Sequence, residues 1–97
     1  MQREQQRKRS GVGKSFHKNG TLKEEVYIKD GIRDGVGKIF YPNNMLKAEA
    51  FFKDGKPEGI IREYYNNGTL AAEALIKDGT REWLIEYNPR GELRRRR

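Results

Sequence analysis

Cysteine is absent from these 97 residues, which excludes disulfides and thiolate metal sites. Histidine occurs once, as His17, and serine twice, as Ser10 and Ser15. One imidazole without cysteine or a carboxylate cluster makes no metal site. Neither serine stands in a Gly-x-Ser-x-Gly elbow. No set of nucleophile, base and orienting group can be assembled, so the chain reads as a non-enzyme with no cofactor and no metal. Long apolar runs are missing as well; none approaches the roughly 18 residues of a membrane span. Residues 1–10 hold no apolar stretch, so no signal peptide is visible and the expected compartment is the cytoplasm. Hydrophobic residues reach only 34%, yet nine of them are Phe or Tyr and one is Trp, a share of aromatics that argues against disorder.

Charge is plentiful but uneven. The formal net charge is +7, of which residues 1–10 supply +3 and residues 94–97 supply +4. Residues 11–93 are therefore neutral. The division read from this is a basic N-terminal tail (1–10), a folded body (11–93) and a basic C-terminal tail (94–97). Such tails attract phosphate, anionic lipid or acidic protein with little selectivity. Arg7, Lys8, Arg9, Arg94, Arg95, Arg96 and Arg97 are the candidates for contact with a nucleic acid or an anionic membrane. A dedicated nucleic-acid groove would be basic inside the fold, and this body is not.

The body repeats with a step of 24 residues. Lys29-Asp30-Gly31 recurs as Lys53-Asp54-Gly55 and Lys77-Asp78-Gly79. Asn19-Gly20-Thr21-Leu22 recurs as Asn43-Asn44-Met45-Leu46 and Asn67-Gly68-Thr69-Leu70. Glu25, Glu49 and Glu73 keep the same step, as do Phe16, Phe40 and Tyr64. Three units span 11–34, 35–58 and 59–82, and Tyr87, Gly91 and Leu93 mark a partial fourth. These fall 23 residues after Tyr64, Gly68 and Leu70, so one residue has been lost in Thr80-Arg81-Glu82.

Each unit predicts a β-hairpin. Val36, Lys38 and Phe40 alternate with Gly37, Ile39 and Tyr41, a period of two. Asn-Gly and Asp-Gly are strong hairpin signals because both residues accept left-handed backbone. Asn44 replaces Gly20 and Gly68, and asparagine is a usual non-glycine choice there. No segment of the body shows a helical period. Strict alternation places Val12, Phe16, Leu22 and Ile28, with their repeats, on one apolar face. It places Tyr27, Phe51 and Leu75, the Glu25, Glu49 and Glu73 row, and His17, Tyr41 and Tyr65 on the other. It also leaves Lys14, Lys38 and Arg62 on the apolar face, and one bulge would reverse every assignment beyond it.

The run Tyr27-Ile28-Lys29-Asp30-Gly31-Ile32-Arg33-Asp34-Gly35-Val36-Gly37, followed by Tyr41-Pro42-Asn43-Asn44, resembles the MORN repeat. The longer unit looks most like the bacterial MORN variant of YwqK-type antitoxin proteins. The resemblance covers Gly11 to about Leu93, most of the chain, although Ile61 replaces the second glycine of Gly-x-Gly and the fourth copy is degraded. It implies an all-β fold, an elongated, curved, single-layer antiparallel sheet of repeated hairpins. It also implies a protein-interaction or scaffold element. Some members are linked to phospholipid, and the bacterial variant to neutralising a partner toxin.

Other motifs are explained by the repeat. Gly11-Val12-Gly13-Lys14-Ser15 imitates the end of a P-loop, but Lys8 stands where the first glycine belongs. The peptide recurs as Gly35-Val36-Gly37-Lys38-Ile39 without the hydroxyl. The two Asn-Gly-Thr sequons fall in repeated turns. The glutamate row reads as a structural ladder, with Lys23 and Lys47 on its face, rather than as paired catalytic carboxylates. The aromatic row His17, Tyr27, Tyr41, Phe51 and Tyr65 is the candidate partner-binding face, since tyrosine and its kin anchor interfaces. The expected partner is a protein: a toxin, a nuclease effector or another enzyme, inhibited by occlusion.

Overall fold

The computed structural model describes residues 10–97; Arg7, Lys8 and Arg9 lie outside them. The strands are β1 (Gly11–Phe16), β2 (Leu22–Lys29), β3 (Ile32–Phe40), β4 (Leu46–Lys53), β5 (Lys56–Pro57), β6 (Gly59–Tyr64), β7 (Leu70–Lys77), β8 (Thr80–Tyr87) and β9 (Leu93–Arg96). They form one open antiparallel sheet in chain order, with β5 pairing β4 beside β6. The smallest extent of the Cα trace is 13 Å, and among the described residues no second layer covers either face. The all-β hairpin array read from the sequence is the fold. Val26, 6% exposed, is the only buried hydrophobic side chain among the described residues.

Two kinds of turn alternate. Asp30-Gly31, Asp54-Gly55 and Asp78-Gly79 are two-residue loops with positive φ at both positions, near 52° and 80–84°. That is the type I′ geometry, whose twist matches the flanking strands. The other turns are three-residue loops closed by two backbone bonds, as where Tyr41 N–H donates to Met45 O and Asn44 N–H donates to Tyr41 O. Their last residue has positive φ: Gly20, Asn44 (71°), Gly68 and Gly91.

The register corrects the faces drawn from strict alternation. Val12 lies opposite Tyr27, Val36 opposite Phe51 and Ile60 opposite Leu75. Residues directly opposite share a face, so Tyr27, Phe51 and Leu75 join the Val12 face, and Ile28, Phe52 and Ile76 go to the other. The cause is one extra residue at the start of β2, β4 and β7. Lys23, Lys47 and Ala71 have no partner where the pairing jumps from Glu24 to Leu22, from Ala48 to Leu46 and from Ala72 to Leu70. A bulge of this kind flips the side chains beyond it.

A second bulge explains the residue lost in Thr80-Arg81-Glu82. In β3 the pairing passes from Ile28–Arg33 to Val26–Gly37, leaving two extra residues, with Gly35 at φ 108°. In β8 it passes from Ile76–Arg81 to Leu75–Trp83, leaving one. The deletion therefore shortens a bulge and leaves the ladder intact. Trp83 lies opposite Leu75, as Ile60 does on the other side.

The C-terminal arginines also differ from the tail expected for them. Leu93–Arg96 form β9 against β8, and Arg97 exchanges backbone hydrogen bonds with Leu84.

Candidate functional site

The Val12 face carries two parallel rows. The first is apolar: Val12, Tyr27, Val36 and Phe51 are 59%, 42%, 52% and 48% exposed. Val12, Tyr27 and Val36 enclose a shallow hollow of about 250 Å³ with Glu25 and Lys38 at its rim. Ile60, Leu75 and Trp83 continue the row, half-buried. Large side chains left in water over four neighbouring strands mark a surface that gains free energy when covered.

The second row is charged, and its sign alternates from strand to strand. Lys14 faces Glu25, Glu25 faces Lys38, and Lys38 faces Glu49. Glu49 faces Arg62, Arg62 faces Glu73, and Ile85 ends the alternation. The ion pairs measure 3.9 Å for Lys14–Glu25, 3.9 Å for Arg62–Glu49 and 2.8 Å for Arg62–Glu73. The hydrogen bond to Glu73 raises Arg62 above its ordinary pKa. Tyr64 joins the row by donating its hydroxyl to Glu49 at 3.2 Å. Burial, then the Glu49 charge, raises Tyr64 above the usual phenol range. The glutamates are thus a ladder, as expected, but their partners are Lys14, Lys38 and Arg62 rather than Lys23 and Lys47. The misplaced cations of strict alternation were the signal for this row.

The five aromatic candidates divide between two jobs. Tyr27 and Phe51 stand in the exposed apolar row. His17, Tyr41 and Tyr65 instead bind one hairpin to the next through backbone carbonyls. His17 Nε2–H donates to Phe40 O at 2.8 Å, Tyr41 Oη to Tyr64 O at 2.7 Å and Tyr65 Oη to Tyr87 O at 2.8 Å. Asn19, Asn43 and Asn67 do the same one turn further out, each amide reaching 3.2 Å to a carbonyl of the next loop. Each of these asparagines also accepts from the backbone N–H two residues on, which shapes its own turn. Lys47 Nζ lies over the Tyr41 ring, 5.6 Å from its centre.

The opposite face is closer-packed. Val26, Ala48, Ala50, Phe52 and Ile61 gather there around Gly37, with Arg33 over the Phe52 ring at 5.8 Å. A Cβ on Gly37 would meet the Phe52 ring at 2.9 Å and Val26 at 3.2 Å. Arg33 is held by Glu24 at 2.8 Å.

Among the described residues no group of three or more His, Asp or Glu side chains could hold a metal ion. Among the described residues no helix is long and apolar enough to cross a membrane. Of the polyanion candidates, Arg95 is tied to Glu86 at 2.9 Å, while Arg94, Arg96 and Arg97 are exposed.

These features define a repeat protein of β-hairpins with an open surface. The MORN repeat variant model matches residues 9–30, 33–54 and 57–83, and the chain belongs to that family. No curated protein and no solved structure matches the chain.

Proposed function

We propose that this chain is a protein-binding module of the antitoxin or inhibitor kind, which docks on a protein partner and blocks it by occlusion. The observation that carries the reading is the exposed row Val12, Tyr27, Val36 and Phe51 on a sheet that has no second layer among the described residues. An apolar strip with the alternating charges of Lys14 to Glu73 at its side has the layout of an interface, an apolar centre and a polar rim. Tyr27 and Phe51 are the anchors. His17, Tyr41 and Tyr65 support the site by fixing the spacing of hairpins, and a preformed sheet loses little entropy on binding. A toxin, a nuclease effector or another enzyme fits this use.

Photo-crosslinking amino acids placed at Tyr27, Phe51 and, on the opposite face, Ile39 test the reading in the source cell. The expected result is one shared protein adduct from Tyr27 and Phe51 and none from Ile39, with the purified partner inhibited by the native chain. The reading fails if Ile39 gives the same adduct, if only dimers of the chain form, or if the captured protein keeps its full activity.

A further inference from the structure

The alternating row ends differently from the way it runs. Within the sheet its cations face carboxylates on both sides: Glu25 and Glu49 flank Lys38, and Glu49 and Glu73 flank Arg62. On β8 the row holds Ile85, and opposite Ile85 on β9 stands Arg96. Arg96 is exposed, and no carboxylate among the described residues pairs with it.

Its backbone is open too. Leu84 and Arg97 exchange both of their backbone hydrogen bonds. In an antiparallel ladder the adjacent residue then directs its N–H and C=O away from the partner strand. Arg96 therefore presents both groups along the outer edge of the sheet, which β9 forms among the described residues. Arg95 is already committed to Glu86 on β8.

We infer that the outer edge of β9 takes an extended acidic segment of a protein, which adds as a further antiparallel strand and sets a carboxylate opposite Arg96. Strand addition draws affinity from main-chain hydrogen bonds and selectivity from alternate side chains. Here both halves are in place, the open backbone of Arg96 and a run of exposed guanidinium groups. A polynucleotide would answer the charge and leave the backbone groups unpaired. A second copy of this chain is a poor match, because its free edges bring Lys14 of β1 or the arginines of β9, and like charges opposite one another repel. The inference stands independently of the apolar strip.

The test uses the full chain at physiological salt and a short fluorescent peptide of alternating glutamate and valine. Two further peptides carry N-methyl groups on one or the other alternate set of backbone nitrogens, and a short oligothymidylate serves as the polyanion. One methylated peptide is expected to bind about tenfold or more weaker than the other, since a single alternate set of nitrogens faces the edge. The parent peptide should slow amide exchange at Arg96. Arg96→Glu should lose the glutamate peptide and gain one of alternating lysine and valine. Equal affinity of the two methylated peptides overturns the inference, and so does undetectable peptide binding. Oligothymidylate binding tighter than the parent peptide would assign the edge to polyanions instead.

Discussion

Val26 and Val36 are the same residue on neighbouring strands, yet one is 6% exposed and the other 52%. They stand on opposite faces of one sheet. Around Val26 the chain places Gly37 and the Phe52 ring, so its methyls meet protein on several sides. Around Val36 it places Val12, Tyr27 and a rim of charge, so its methyls meet water. A sheet one layer thick cannot bury both faces. This one packs one face more closely, with small residues beside the Phe52 ring, and leaves the other for contact. With Val26 the one buried hydrophobic side chain among the described residues, the sheet also relies on its hydrogen-bond ladder and on the bonds that join each hairpin to the next.

The sharpest way to break the comparison is to truncate the two valines in parallel. Val26→Ala should cost about 2 kcal/mol, the scale of a buried valine's lost burial, while Val36→Ala should stay within about 0.5 kcal/mol. Denaturant melts of both variants check this, and equal losses would erase the distinction between faces. The inter-hairpin bonds come next. Tyr65→Phe removes only the hydroxyl that holds Tyr87 O and should cost about 0.5–1.5 kcal/mol in the same melts. Tyr27→Phe on the open face should cost nothing measurable.

The smallest expected effect is alkaline. Tyr64 has a folded pKa above its unfolded one, because burial and Glu49 disfavour the phenolate. Its contribution is complete below about pH 10, the unfolded value, and is lost as the pH rises through the folded one. Tyr64→Phe should therefore flatten the fall in stability above that pH. An unchanged slope in thermal melts would remove Tyr64 from the charged row.

The strands and turns were legible because repetition supplies three readings of every signal. Asp30-Gly31 alone suggests a turn; with Asp54-Gly55 and Asp78-Gly79 it fixes the hairpin and its length. The faces were not legible in the same way. Lys23, Lys47 and Ala71 share no side-chain chemistry that announces an unpaired residue, and each shifts Tyr27, Phe51 or Leu75 to the other face. The single hint was Lys14, Lys38 and Arg62 stranded among apolar neighbours. Likewise His17, Tyr41 and Tyr65 looked like anchors, since a ring at a turn does not reveal that its polar atom reaches a carbonyl 22 or 23 residues away.

The joints between hairpins have one further consequence. Each of the three units offers its successor an amide for its loop carbonyl and a ring donor for its strand end, and the first two also offer a carboxylate opposite its cation. A tandem duplication of one unit would find every one of these sockets filled in the right sense, and a clean deletion would leave none empty. The length of this surface is thus a quantity that gene copying can adjust in whole steps, with no need to redesign what lies on either side.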